Sequence, residues 1–352
     1  MRARCPDCDA ELDEHSERCP RCVEEVITLA RPPAPFASGD RLSGRFTVLE
    51  NHVVGPLGAV YRARDDEGLA VAVRVVPEAF FARAEERDAF LTAHSALVGR
   101  RLPRVAMPLD AGVEEGVVWV ASPWVFGTPL RDILRAYRAA ERRLERDQIL
   151  GVLQGVATAL RELHTITAHG ALLPDCVEVT ADAVVITAPG IAACAAPQRL
   201  AAWLARTPDS LAYLAPEVRA GGRCNAAADL HALGALASEL LTGDATRAAA
   251  PGFSIPELGA DLAEPIRALV SSKPARRTTA LPLLLERLAR VAGVASLPSY
   301  AVLPRPAAVS EARTRRLAAI ARDPRIPIQR WDAPPAAPVA IAPARGPRRD
   351  GA

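Results

Sequence analysis

The sequence predicts an α+β chain in which a strand-rich part precedes a mainly helical part. Apolar residues alternate from Asp40 to about residue 76, which is typical of half-buried strands. From Asp147 to His164 they recur with a helical period. Between residues 167 and 190, two β-branched runs flank a turn at Asp182, which predicts a hairpin with a loop at each end. The chain has 352 residues, 50% of them hydrophobic, so it can bury a large core.

Two C-x2-C pairs stand near the start of the chain, formed by Cys5, Cys8, Cys19 and Cys22. Paired knuckles of this spacing can bring four thiolates to one tetrahedral Zn²⁺ ion. Four thiolates close the site, so we expect a structural zinc ribbon over residues 1–29; two disulfides are the alternative. A Pro-rich stretch at residues 30–39 is predicted to be a stiff linker.

The strand-rich part is expected to cover residues 40–122. Its first two strands are joined by a turn that contains Gly55 and Gly58, and a third strand carries Arg74. A helix is predicted at residues 78–99, followed by a buried strand at residues 117–125. The helical part is expected at residues 127–296.

Several short motifs follow one another between residues 169 and 277. They are His169-Gly170-Ala171, Ala188-Pro189-Gly190, Ala215-Pro216-Glu217, Asp229 to Gly234, and Arg277. Together they resemble the motifs of bacterial serine/threonine protein kinases, over roughly residues 40–292. The resemblance implies a two-lobed protein-kinase-like fold with an N-lobe at 40–122 and a C-lobe at 127–296. It also implies that Glu217 pairs with Arg277 and that Asp229 holds the backbone near His169.

The same resemblance places a nucleotide pocket at Gly55, Gly58 and Arg74. The pocket departs from the family pattern, because Val53 stands at the first glycine position and Arg74 at the position of the phosphate-anchoring lysine. The planar guanidinium of arginine is not equivalent to the ammonium group of lysine as a phosphate-binding group. Ala93, beside His94, stands where the family has the glutamate that pairs with this lysine.

The catalytic positions also differ from the family pattern. His169 is present, but Ala171 replaces the proton-accepting aspartate, and Cys176 and Ala188 replace the two magnesium ligands. A thiol is a soft ligand and Mg²⁺ a hard ion. We therefore expect that the chain does not use ATP and Mg²⁺ and is not an enzyme.

The expected function is that of a pseudokinase, a protein-binding or scaffolding module of signalling without phosphoryl transfer. The alternatives are a nucleotide-binding switch without catalysis and an atypical active serine/threonine protein kinase. Nucleic acid is a weaker candidate partner, because the predicted ribbon is acidic and the net charge of the chain is only +2.

Location and termini complete the expectations from sequence. No apolar run is long enough to span a membrane, and the first residues lack a hydrophobic signal core, so we expect a cytoplasmic protein. Residues 297–352 are rich in Pro, Ala and Arg and are predicted to be a mostly disordered tail. The sequence indicates no oligomeric state.

Overall fold

The structure is a computed structural model, and it describes residues 3–4, 11–12, 36–193, 195–205, 210–247, 260–291 and 297. All of these belong to a compact unit of residues 1–306. The cysteines Cys5, Cys8, Cys19 and Cys22, most of the linker and the tail from residue 298 lie outside the described residues. The zinc ribbon and the disordered tail therefore remain predictions.

The N-lobe is built on an antiparallel sheet of six strands in the order β3-β4-β5-β6-β8-β7. Ahead of it, β1 and β2 form a short antiparallel pair. Helix α1 packs against β7. The elements are β1 (Ala3–Arg4), β2 (Glu11–Leu12), β3 (Arg41–Leu42), β4 (Phe46–Gly55), β5 (Gly58–Arg64), β6 (Ala70–Val75), α1 (Ala84–Ser95), β7 (Asp110–Glu114) and β8 (Val117–Pro123).

The turn between β4 and β5 requires glycine at its second end. Gly58 has φ +102°, and a Cβ atom there would lie 1.9 Å from the carbonyl oxygen of Val75 on β6. No side chain fits that space, so the close approach of the two backbones explains Gly58 without a ligand.

The C-lobe is helical, and its central helix, α6, is buried along almost its whole length. Helices α3, α7 and α8 pack around it. A small sheet in the order β11-β10-β9 packs against α3 through β11. The elements are β9 (Thr128–Pro129), α2 (Leu130–Ala139), α3 (Arg146–Leu163), β10 (Val177–Val179), β11 (Val184–Ile186), α4 (Pro197–Leu204), α5 (Pro216–Arg219), α6 (Ala226–Thr242), α7 (Ala260–Leu269) and α8 (Pro274–Val291).

The two-lobed fold predicted from the sequence is confirmed, and most elements lie where the apolar pattern places them. One prediction needs correction. The helix expected at residues 78–99 is divided into a 3-10 turn, Glu78–Phe80, and α1, which begins at Ala84. The Glu86 carboxylate in the first turn of α1 accepts a hydrogen bond from the Ala82 N–H at 2.6 Å, which ties the segment before the helix to its first turn.

Within the described residues, two hydrophobic clusters form the core. One occupies the outer N-lobe around Phe46, Tyr61 and Trp119, and the other spans the C-lobe and the cleft between the lobes. Trp119 is fully buried and stacks edge-on against Phe46, so it belongs to the core and not to a base-binding site. None of the helices in the described part of the chain is long and apolar enough to cross a membrane.

An ion pair joins α5 to α8 in the C-lobe. An Nη atom of Arg277 donates a hydrogen bond to a carboxylate oxygen of Glu217. The Arg277 side chain is 0% exposed and that of Glu217 is 26% exposed. A charge buried to this extent is tolerated only with a partner. The pairing that the resemblance implied is therefore present, and it holds α5 against the last helix.

We expect Glu217→Ala to lower the free energy of unfolding by about 3–5 kcal/mol, because it leaves a buried guanidinium without its partner. The measurement is urea unfolding followed by circular dichroism. The matched control is Glu264→Ala, which removes an exposed partner of Arg287 and should cost about 1 kcal/mol or less. Similar small losses in both variants would contradict a structural role for the Glu217 pair.

Candidate functional site

A cleft between the lobes contains a cavity of about 120 Å³. Its wall combines apolar residues of the N-lobe sheet with polar residues of the hairpin β10–β11 and its flanking loops. The N-lobe contributes Val60, Ala72, Arg74 and Val120, and the C-lobe contributes Asp175, Glu178, Thr187 and Ala188. The arrangement is that of a binding site: an apolar wall with a few charged groups that converge on one space.

The cationic group of this wall is Arg74. It lies on β6, where the backbone pairs with Val60 on β5 and with Val120 on β8. The other predicted pocket residues, Gly55 and Gly58, stand in the β4–β5 turn and are not among the residues that line the cavity. Trp124 does line it, whereas Trp119 does not.

The loop at His169 is held by one carboxylate of α6. Asp229 accepts hydrogen bonds from the backbone N–H groups of His169 at 2.7 Å and Gly170 at 2.9 Å. The Nε2 atom of His169 lies 2.8 Å from the carbonyl oxygen of Thr187 on the far side of the hairpin. Burial lowers the pKa of His169, so its imidazole is neutral at physiological pH and works as a structural link.

Gly170 has a steric reason to lack a side chain. Its φ is +92°, and a Cβ atom would lie 2.4 Å from the backbone nitrogen of Ala193. The chain that follows Gly190 therefore passes directly over this loop. A longer residue at position 170 would displace it.

The family's magnesium positions do not suit a hard cation in this chain. Burial raises the pKa of Cys176 to about 12, so the thiol stays protonated. Ala171 and Ala188 have no donor atoms and are buried. The residues at positions 176 and 188 thus do not fit Mg²⁺, and no chemical step is assigned to a metal there. Ala188 has φ +60°, a strained conformation of the kind that collects at functional sites.

Two carboxyl groups that the sequence-based prediction did not use reach the cleft. Asp175 follows the His169 loop, and its Oδ2 atom lies 3.5 Å from Nε of Arg131 on α2. Arg131 also donates to Glu239 on α6 at 2.7 Å, and Tyr213 donates to the other oxygen of Glu239. This buried network fixes the position of Asp175 at the cavity wall.

The second carboxyl group belongs to Glu178, the middle residue of β10. Its Oε2 atom is so close to Gly127 that a Cβ atom there would lie 3.2 Å from it. Burial, helped by the like charge of Asp132 and opposed by Arg74, raises the pKa of Glu178 to about 7. In the sequence, the signal for Glu178 is that an acidic residue stands between the two β-branched valines of this short strand.

Helix α1 presents His94 to the site and turns Ala93 away from it. Ala93 is exposed, whereas His94 is 1% exposed and stacks on Phe90 with ring centroids 4.0 Å apart. A Cβ atom on Gly190 would lie 3.5 Å from Nε2 of His94, so the imidazole faces the Ala188–Gly190 loop. Burial lowers the pKa of His94. The inward-facing residue of α1 is therefore a neutral histidine.

The fold and the site together define a protein kinase domain. A family model described as protein tyrosine and serine/threonine kinase matches residues 47–258. This match covers more than half of the chain, and the chain belongs to that family.

Particular relatives are bacterial. The chain is 27% identical over 209 residues to the probable serine/threonine-protein kinase pknA2 of Bifidobacterium longum, which covers 57% of this chain and 27% of pknA2. It is 29% identical over 218 residues to the serine/threonine-protein kinase PknJ of Mycobacterium tuberculosis, which covers 60% of this chain and 36% of PknJ. The chain thus spans about a quarter to a third of the length of these curated relatives.

A solved structure shows the same fold. The kinase domain of PknI from Mycobacterium tuberculosis superposes with a TM-score of 0.57 at 22% identity, covering 74% of this chain and 100% of that domain. At this identity the likeness shows the fold alone.

These comparisons correct one expectation. The prediction that the chain is not an enzyme is wrong, because the family is that of protein tyrosine and serine/threonine kinases and the named relatives are serine/threonine-protein kinases. The prediction rested on Ala171, Cys176 and Ala188, which stand at the positions of the family's catalytic aspartate and magnesium ligands. It did not consider the carboxyl group of Glu178, which also reaches the cleft.

Glu178 gives a prediction about stability and pH. Its folded-state pKa of about 7 exceeds the ordinary value of 4.5. Protonated Glu178 therefore contributes fully to the stability of the fold below its ordinary pKa of 4.5. This contribution is lost as the pH rises through its folded-state pKa of about 7. The neutral variant Glu178→Gln should be more stable than the wild type by about 1–3 kcal/mol at about pH 8.5, with a smaller difference at about pH 5.

Urea unfolding at the two pH values measures this difference. Asp182→Asn, in the exposed turn of the same hairpin, serves as the control and should not change with pH in this way. A Glu178→Gln variant with the same pH dependence as the wild type would contradict burial of the carboxyl group.

Proposed function

We propose that this chain is an atypical serine/threonine protein kinase that binds a nucleoside triphosphate in the cleft between its lobes. The observation that carries the proposal is the composition of the cavity wall, where Arg74 and two carboxyl groups converge beside an apolar surface. Membership of the kinase family supports the reaction class, and the names of the bacterial relatives support serine and threonine as acceptors.

Arg74 is the group that we assign to the phosphates. A guanidinium presents its N–H donors in a planar fork that fits phosphate oxygens, although with a different reach from that of a lysine. The base would lie against the apolar wall of Val60, Ala72 and Val120, which meets the same cavity. In this arrangement Arg74 is the residue that neutralises negative charge on the phosphates.

Asp175 is the group that we assign to the acceptor hydroxyl. Ala171 has no atom that accepts a proton, whereas Asp175 comes from the same loop and reaches the cavity wall. Arg131 positions it through the contact at 3.5 Å. A carboxylate held in this way can accept the proton of a serine or threonine hydroxyl as the phosphoryl group is transferred.

Two variants separate binding from transfer. We expect millimolar ATP to raise the free energy of unfolding of the wild type, by about 2.7 kcal/mol at a hundredfold excess over Kd. Arg74→Met should lose this shift, and Arg64→Met, on the exposed end of β5, should keep it. Asp175→Asn should keep the shift but lower the incorporation of labelled γ-phosphate into protein substrate by about 10²- to 10⁴-fold.

Asp182→Asn is the control for the transfer step. Binding without any transfer by the wild type, assayed with Mg²⁺ and with Mn²⁺, would overturn the kinase assignment and favour a nucleotide-binding switch. Absence of a shift with any nucleotide would overturn both.

We also propose that Cys5, Cys8, Cys19 and Cys22 hold one structural Zn²⁺. The two C-x2-C pairs support this, since a segment of this size gains folding energy from a metal. Elemental analysis of the purified chain should give about one zinc per molecule, and Cys5→Ser with Cys19→Ser should abolish it. Replacement of Cys224, which is outside the motif, should leave the zinc content unchanged. Two disulfides in place of zinc would contradict the proposal.

A further inference from the structure

Glu178 is a charged group of the cleft that the proposed phosphoryl transfer does not use. It is the middle residue of β10, and its side chain forms part of the cavity wall together with Arg74 and Asp175. In the part of the chain that the structure describes, no N–H or O–H group donates a hydrogen bond to its carboxyl oxygens. A partly buried carboxyl group without a donor lowers the stability of the fold, and a ligand that supplies the donor recovers this loss.

The segment between the lobes leaves room for this carboxyl group. Gly127, the residue before β9, has no side chain, and a Cβ atom there would lie 3.2 Å from Oε2 of Glu178 and 3.0 Å from the carbonyl oxygen of Val179. Both distances are shorter than the ordinary contacts of a Cβ atom. Glu178 pairs with Pro129 of β9 on one side and with Val185 of β11 on the other. The backbone thus holds the carboxyl group at the Gly127 end of the cavity.

The register of the N-lobe sheet places Arg74 further from the segment between the lobes. Arg74 pairs with Val120 of β8, whereas Ala72, two residues earlier on β6, pairs with Ser122 near the end of β8. Residues two apart on a strand are separated by about 7 Å. The N-lobe wall therefore extends from the guanidinium group toward the segment that follows β8. A nucleotide whose phosphates contact Arg74 has its nucleoside part directed along this wall, toward Glu178.

The charge of Glu178 limits which part of a nucleotide it can contact. A carboxylate repels phosphate oxygens, which carry charge of the same sign, and it accepts hydrogen bonds from neutral O–H and N–H groups. In the proposed arrangement the base lies against the apolar residues of the N-lobe wall, and the sugar joins the base to the phosphates. The two adjacent hydroxyl groups of a ribose can donate to the oxygens of one carboxyl group, as they do to an acidic residue in dinucleotide-binding folds.

We propose that Glu178 is a specificity-determining residue of the cleft, which accepts a hydrogen bond from a ribose hydroxyl group and so favours ribonucleotides over deoxyribonucleotides. The inference rests on the proposed binding of a nucleoside triphosphate. A site that is built to hydrogen-bond a hydroxyl group rejects the analogue that lacks it, because the carboxyl group is then left without a donor. Glu178 thus acts on the choice of ligand, whereas Asp175 acts on the proton of the acceptor.

The test measures the Kd of ATP, 2′-deoxy-ATP and 3′-deoxy-ATP for the full chain by calorimetry. A pH of about 8 lies above the folded-state pKa of Glu178, which is about 7, so the carboxyl group is mostly ionised. Glu178→Leu removes both acceptor oxygens, and Glu178→Gln keeps one of them at nearly the same size. Asp182→Asn, in the exposed turn of the same hairpin, is the control. The quantity compared is the ratio of each analogue's Kd to that of ATP, because a merely structural effect weakens all three nucleotides alike.

We expect the wild type and Asp182→Asn to bind at least one deoxy analogue about 10- to 100-fold more weakly than ATP. Glu178→Leu should bind the three nucleotides with nearly equal Kd values, and Glu178→Gln should retain only part of the difference.

Three results would count against the role of Glu178. Binding of ATP with no discrimination by the wild type, or the same ratios in the wild type and in Glu178→Leu, would overturn that role and leave the proposed function standing. If Glu178→Leu does not fold, Glu178→Gln decides alone, and ratios equal to those of the wild type overturn the role. Absence of nucleotide binding by every folded protein would overturn the proposed function and this inference with it.

Discussion

The site depends on a single buried carboxylate. Asp229 is 1% exposed, accepts two backbone N–H groups from the His169 loop and lies 3.0 Å from Nε2 of His164. A charge so deeply buried is stable only with such partners. Because α6 is the most enclosed helix of the C-lobe, the loop is positioned by the lobe's core. His169 then connects the loop to Thr187, so both ends of the hairpin are fixed relative to α6.

Helix α6, the His169 loop and the hairpin β10–β11 form a backbone frame. This frame and the side chains that it carries are under different constraints. The frame is maintained by burial and by the partners of Asp229, and it tolerates Ala171 and Ala188 because neither position bears on the core's polar bonds. Charged groups of the cleft come from other positions of the same frame: Asp175, which Arg131 holds, and Glu178 in β10. Charged groups can therefore reach the cleft from other positions of the same fold.

The sequence predicts the frame well because periodicity and motif order report burial directly. The strands of the N-lobe, α3 and the hairpin follow from apolar spacing, and the contacts of Asp229 and Glu217 are those that the resemblance to protein kinases implies. The set of side chains that line the cleft cannot be deduced in this way. Glu178 reaches Arg74's cavity through folding, from a strand about a hundred residues away. Helix α4 is only eight residues long, which is too short for an apolar period to predict it, and its clearest signal is Pro197 at the first turn.

The altered loop motif and the position of α4 belong to one arrangement. Gly170 has no side chain, and the backbone of Ala193 occupies the space where its Cβ atom would be. Ala192 is fully buried there and Ala195 nearly so, which leads the chain inward before α4 begins at Pro197. A larger residue at position 170 would clash with the backbone of Ala192 and Ala193. Gly170 is thus a steric condition for the path that the chain takes between the Ala188–Gly190 loop and α4.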